Sequence, residues 1–162
     1  MKVLVVSDTH GQHRNLIKVI EEVGMIDMFI HLGDVEGGEL FLENLVSCEK
    51  HIIKGNNDFF SDLPREEEFY IGAKKVFITH GHNYYVSLNY DMIKDEGRHR
   101  GDDIVMFGHT HKPYLEQSED LLLLNPGSIS FPRQAGKLPS YAVLEVSENN
   151  KVNCQIFYLK NC

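Results

Sequence analysis

Lys2-Val3-Leu4-Val5-Val6-Ser7-Asp8-Thr9-His10-Gly11 is the stretch on which the fold turns. An apolar run of strand length stops at Asp8 and His10, and a glycine follows at once. Residues two apart in a strand, or in its direct extension, point to the same side. The Asp8 carboxylate and the His10 imidazole can therefore converge on one point and hold a divalent metal there. Taken alone, such a pair is more often a helix cap beside a surface histidine. The rest of the chain decides between the two.

Working outward, Gln12–Val23 carries Leu16, Ile17, Val19, Ile20 and Val23 at helical spacing, with Gly24 as a natural stop. A second strand, Asp27–Ile30, closes in His31-Leu32-Gly33-Asp34. An amphipathic segment with Leu40, Phe41, Leu42, Leu45 and Val46 leads to a short strand, His51–Lys54, and to Gly55-Asn56-Asn57-Asp58. This alternation implies βαβ units and parallel pairing. Asp62–Glu68 is a charged loop. Glu68–Ile71 and Val76–Thr79 form a hairpin ending in His80-Gly81-His82. The pattern predicts a helix over Tyr84–Glu96 with Gly97 as its C-cap, then a buried strand, Asp103–Phe107, ending in Gly108-His109-Thr110-His111. Tyr114–Ser118 and Leu121–Leu124 suggest a second hairpin, Asn125–Pro139 a loop, and Ser140–Val146 and Val152–Leu159 two closing strands. The expectation is one mixed α/β domain over 1–162, two packed sheets with helices outside.

One regularity outweighs the individual elements. Polar punctuations begin at Asp8, Asp34, Asn56, His80 and His109, at intervals of 26, 22, 24 and 29 residues. Each follows an apolar run and contains or adjoins glycine. In α/β sheets ligands bind outside the carboxyl ends of the strands. The five loops are therefore expected to meet in space.

Composition narrows the function classes. A net charge of −8 argues against a broad electrostatic grip on nucleic acid, although bound cations can make one cleft locally positive. Cys48, Cys154 and Cys162 form neither a disulfide framework nor a zinc spacing, which fits a reducing compartment. No secretory leader and no bilayer-length apolar segment is evident, so the expected location is cytoplasmic and no membrane partner is expected. Edge strands leave room for a homodimer or higher homo-oligomer.

Asp8, His10, Asp34, Asn56, His80, His109 and His111 would converge at the strand ends. Carboxylate, amide and imidazole donors without thiolate suit manganese, nickel, iron, zinc or magnesium. Seven protein ligands exceed what one ion with an open position uses. They fit two ions sharing a carboxylate, roughly 3.5–4 Å apart, that polarise a phosphoryl group and turn a bridging water into hydroxide. Each loop has a plainer reading as a turn or cap, but five such coincidences at five successive strand ends are improbable together. His13, His31, His51 and His99 lack this setting and are read as structural.

Asp8-x-His10, Gly33-Asp34, Gly55-Asn56-x-Asp58, His80-Gly81-His82 and Gly108-His109-x-His111, with Asn125-Pro126-Gly127-Ser128 and Pro132-Arg133, resemble the calcineurin-like metallophosphoesterases, and most closely their small single-domain phosphodiesterase branch. The resemblance implies a two-sheet β sandwich flanked by helices and two divalent ions, manganese first. By position, Asp8, His10 and His111 would hold the first ion, Asn56, His80 and His109 the second, and Asp34 both. His82 and Arg133 are candidate substrate contacts, and Asp34, Asn57, Asp58 and His82 the candidate catalytic set. Many larger members carry histidine after the motif asparagine, paired with the following acid. Here that position is Asn57, and an amide supplies no proton at neutral pH. The implied activity is phosphodiester hydrolysis of a small phosphate ester. The alternatives are a phosphomonoesterase or nucleotide phosphatase on the same site, or a non-catalytic scaffold related to the retromer subunit.

Overall fold

A computed structural model describes residues 1–160; Cys162 lies outside them, and Cys48 and Cys154 are free thiols. The first sheet has the order β10-β9-β1-β2-β3, from β1 (Lys2–Val6), β2 (Met28–His31), β3 (Glu49–Ile52), β9 (Ser140–Val146) and β10 (Val152–Tyr158). β1 pairs in parallel with β2 and β2 with β3, whereas β9 runs antiparallel to β1. The second sheet has the order β4-β5-β6-β8-β7, from β4 (Glu66–Ile71), β5 (Lys74–Thr79), β6 (Ile104–Met106), β7 (Pro113–Gln117) and β8 (Leu122–Pro126).

The period-two alternation of β1 explains the layers. Val3 and Val5 face the second sheet and pack with Met28, Ile30, Ile78, Met106 and Leu124. Leu4 and Val6 face the other way, toward Leu16 and Val19 of α1 (Arg14–Val23) and Leu42 of α2 (Glu39–Leu45). Both faces of β1 are thus covered, as parallel pairing requires. Truncating Leu16, fully buried, to alanine would cost about 2–5 kcal/mol. On the far side, Phe77, Val105 and Phe107 cover Ile93 of α3 (Asp91–Arg100). The layer order is helix, sheet, sheet, helix.

Two expectations are corrected. The third strand runs two residues earlier than His51–Lys54, because Glu49 to Ile52 pair in register with Met28 to His31. The helix expected over Tyr84–Glu96 is a single 3-10 turn, His82–Tyr84, followed by α3. Tyr85 takes a φ of 52° and breaks the first turn, and the Asn89 side-chain oxygen accepts the Asp91 N–H at 3.0 Å where α3 begins. Gly97 is not the cap. It is buried inside α3, where a Cβ would lie 2.4 Å from a Val105 methyl, so glycine lets the helix lie close on the sheet. Gly101, with φ 74°, closes α3 instead.

β1, β2, β3, β5 and β6 all deliver their carboxyl ends to one edge of the sandwich. Backbone hydrogen bonds stitch those ends together. Asp8 donates to the Gly33 carbonyl at 3.0 Å, His10 to Asp34 at 2.9 Å, and Gly108 to His80 at 3.1 Å. The five polar loops meet there, as their spacing predicts.

Candidate metal centre

Asp8, His10, Asp34 and His111 present ligand atoms that all lie within 4.8 Å of one another. His111 Nε2 is 3.2 Å and His10 Nε2 3.9 Å from Asp8 Oδ1, and the two ring nitrogens are 3.1 Å apart. His80 Nε2 sits 3.9 Å from the same Asp8 oxygen and 3.5 Å from Asp34 Oδ1. Asp34 Oδ2 is 3.8 Å from His10 Nε2, so the two Asp34 oxygens face different histidines. On the far side, His109 Nδ1 lies 2.8 Å from Asn56 Oδ1, and the His80 and His109 rings meet edge to face at 5.3 Å.

The tautomers follow from the outer contacts. His10 Nδ1 is 2.7 Å from Glu36 Oε1, His80 Nδ1 2.6 Å from the Leu32 carbonyl, and His111 Nδ1 2.7 Å from the Phe131 carbonyl. Each Nδ1–H donates to its oxygen, which leaves Nε2 as a lone pair aimed into the site. Lone pairs facing one another and a carboxylate repel unless a cation stands between them. Asp8 is fully buried, and neither of its oxygens finds a hydrogen-bond donor; His80 Nε2 is likewise unpartnered. Buried acceptors left this way cost about 1–3 kcal/mol or more each. The donor set fits a divalent cation, which would satisfy these atoms together.

The backbone carries strain in the same place. Nine described residues other than glycine have positive φ, and five are Asp8 (57°), His10 (47°), Asp34 (55°), His109 (68°) and His111 (57°). Strain concentrated in the loops that aim these side chains, with Tyr85, Lys137 and Asn150 the exceptions elsewhere, points to a functional constraint. Gly55 and Gly108 serve by their missing side chains. A Cβ would fall 2.1 Å from Asp34 Oδ1 at Gly55 and 2.0 Å from Ser7 Oγ at Gly108.

Electrostatics follow the geometry. Burial pushes the Asp34 carboxyl up, but His80, the Asn57 amide and His10 draw it down to about 2. Burial raises Asp8 too, and His111, His80 and Ser7 together bring it below its ordinary value. Burial pushes His109 and His82 below the usual imidazole value, and the neighbouring imidazoles add to this.

The remaining site residues sort clearly. Asn57 does not pair with Asp58: its Nδ2 donates to Glu36 Oε1 at 3.0 Å and its backbone N–H to Asp34 Oδ1 at 2.9 Å. Asp58 accepts the backbone N–H groups of Val35 (3.1 Å), Glu36 (2.6 Å) and Gly55 (2.8 Å), and so clamps the Asp34 loop to the Asn56 loop. The His82 ring lies 6.1 Å from that of His109, and its buried Nδ1 has no partner. Arg133 is exposed and tied by its backbone N–H to the His111 carbonyl at 2.9 Å. Sequence reasoning passed over Glu36, whose signal was an acid two residues after a candidate ligand in a glycine-rich loop. His31, left structural, is buried: its Nδ1 accepts the Gly33 N–H at 3.2 Å and its Nε2 reaches Thr9 Oγ1 at 3.1 Å.

This edge-on constellation in a two-sheet sandwich defines a metallophosphoesterase. Residues 1–149 match the calcineurin-like phosphoesterase superfamily domain, and the chain belongs to that superfamily. It is 34% identical over 160 residues to a probable metallophosphoesterase of Methanocaldococcus jannaschii, covering 96% of this chain and 80% of that one. A phosphodiesterase of the same organism is 33% identical over 146 residues, covering 78% of this chain and 83% of its own. Among solved structures, wild-type Vps29 of Entamoeba histolytica complexed with zinc superposes with a TM-score of 0.77 at 25% identity, over 98% of this chain and 99% of that one. Metal-dependent phosphoester hydrolysis is the activity class of this chain.

Proposed function

We propose that this chain, as one domain, hydrolyses small phosphodiesters with two divalent cations bound at the sandwich edge. Asp8, His10 and His111 would hold one cation, Asn56, His80 and His109 the other, and Asp34 both. The observation that carries the two-ion reading is Asp34, whose oxygens face His10 on one side and His80 on the other. When bound, such a pair supplies Lewis acidity toward the phosphoryl oxygens and an activated water. Manganese is our first choice of ion, with nickel, iron, zinc and magnesium behind it.

The protein's own groups orient and position. Glu36 and the Leu32 and Phe131 carbonyls fix three imidazole tautomers. Asp58 locks the Asp34 loop against the Asn56 loop. His82, whose ring lies 6.1 Å from that of His109, would meet a phosphoryl oxygen or the leaving group. Asn57 can donate a hydrogen bond but no proton, so esters with good leaving groups are the better substrates.

The fold likeness to Vps29 supports the scaffold alternative. The full set of seven ligand-competent side chains, aimed as described, favours catalysis. The named phosphodiesterase relative favours diesters over monoesters. The test is metal stripping and reconstitution with paired assays on a bis-aryl and a mono-aryl phosphate. Hydrolysis lost with chelator, restored by manganese and faster on the diester is the expected result. Hydrolysis that survives complete metal removal overturns it.

A further inference from the structure

The His109–His111 loop has a second face. Thr110, between the two histidines, lines a cavity of about 380 Å³ together with Lys112, Arg133, Ser87, Leu88 and Asn89. That volume is within the range of small-ligand sites. Both walls continue loops of the metal centre. One runs on from His82 through the 3-10 turn to residues 86–90, and the other is Thr110 and Lys112 on either side of His111, with the Arg133 backbone N–H bonded to the His111 carbonyl. His111 and Lys112 are adjacent, so their Cα atoms are about 4 Å apart.

The charge of this cavity is unlike that of four other cavities on the described residues. The chain carries a net −8, and those four are each lined by at least one aspartate or glutamate. This cavity has two cations, four neutral side chains with polar groups from Ser87, Asn89, Tyr90 and Thr110, and no carboxylate. Neither the Lys112 nor the Arg133 side chain forms an ion pair among the described residues. A cationic, acid-free cleft lined by the two residues that flank the candidate ligand His111 suits a group more negative than a single diester.

We propose that this cleft binds a second phosphate of the substrate, one nucleoside-length away from the phosphoryl group that is cleaved. Resting on the diesterase reading, the proposal narrows the substrate class to diesters that carry an additional phosphate. Lys112 and Arg133 supply the charge, and the Ser87, Asn89 and Thr110 side chains line the seat. The reaction is unchanged: water adds to the diester phosphorus, the bond to the aryl leaving group breaks, and p-nitrophenolate departs.

The probe is the p-nitrophenyl ester of thymidine 5′-phosphate, compared with the same ester bearing a 3′-phosphate. In the metal-loaded protein the added phosphate should raise kcat/KM by about fivefold or more, the scale of one or two partly exposed charge pairs. Lys112→Ala should bring that ratio close to one, Lys112→Glu below one, and Lys112→Arg should retain it. A ratio near one in the unmodified protein, or an unchanged ratio in Lys112→Ala, overturns the cleft assignment. Calorimetric binding of thymidine 3′,5′-bisphosphate against thymidine 5′-monophosphate reads the same contrast without turnover. Absence of hydrolysis for both esters would strike the diesterase reading, whereas absence of the binding contrast strikes the cleft.

Discussion

Glu36 and Asn57 share one hydrogen bond that ties the His10 loop to the Asn56 loop of the candidate metal centre: Glu36 Oε1 accepts Asn57 Nδ2–H at 3.0 Å while it accepts His10 Nδ1–H at 2.7 Å. One carboxylate oxygen therefore orients the candidate ligand His10 and the amide next to the candidate ligand Asn56. Carboxylates placed behind a ligating histidine typically matter 10–100-fold for affinity. Glu36→Gln keeps the shape but weakens the acceptor. Metal affinity of the His10 side, followed by calorimetric titration of manganese into stripped protein, should fall about tenfold. An unchanged isotherm would remove Glu36 from the site.

Asp34 should be the most costly single ligand to alter. Its oxygens face His10 and His80 separately, so under the proposed two-ion reading Asp34→Asn would disturb both cations and His111→Asn only one. The metal-to-protein ratio after dialysis, by elemental analysis, should fall further in Asp34→Asn than in His111→Asn. Gly55→Ala should mimic Asp34→Asn, because its Cβ would lie 2.1 Å from Asp34 Oδ1. Retention of a full metal complement in Gly55→Ala would show that the carboxylate has room to turn aside.

The five loops were legible because each breaks an apolar strand with a polar, glycine-flanked group, a contrast that survives in one dimension. Asp8, His10, Asp34, Asn56, His80, His109 and His111 could be named from that contrast alone. Three features could not. Gly97 looks like a helix stop in sequence, and only its approach to Val105 shows why a helix would carry it internally. Glu36 takes a φ of 54°, which turns its carboxylate back toward His10; its neighbours in sequence suggest only a surface acid. The cleft at Lys112 and Arg133 joins residues 21 positions apart through a backbone bond to His111, and no periodicity announces it.

Leaving-group sensitivity should be steep. Asn57 occupies the position after the motif asparagine, and one of its two side-chain N–H groups donates to Glu36. With no proton offered from that position, departure depends on the acidity of the leaving alcohol. A series of methyl aryl phosphates of rising phenol pKa should show log kcat falling steadily. Asn57→His should flatten the series by lifting the slowest esters by at least about tenfold, within the usual range for general acid catalysis. A flat series in the unmodified protein would mean that another group, His82 foremost, already delivers the proton.

Acid sensitivity of the fold is expected from His31. Burial is the main cause that takes this imidazole from 6.5 down to about 4, and the charges of Asp8 and Asp58 only partly offset it. The contacts agree: Nδ1 must stay unprotonated to accept the Gly33 N–H, which precedes Asp34 in the chain. The unfolded chain therefore binds a proton at His31 between pH 6.5 and about 4 that the folded chain refuses. Stability from this group is fully present above pH 6.5 and is lost progressively as the pH falls through that window. The loss is on the order of 3 kcal/mol if the whole shift is realised. Urea unfolding midpoints measured between pH 4 and pH 7 should decline toward acid in the unmodified protein. In His31→Gln, less stable at pH 7 but without the titrating ring, the decline should be shallower. Parallel curves for the two proteins would place the acid sensitivity elsewhere.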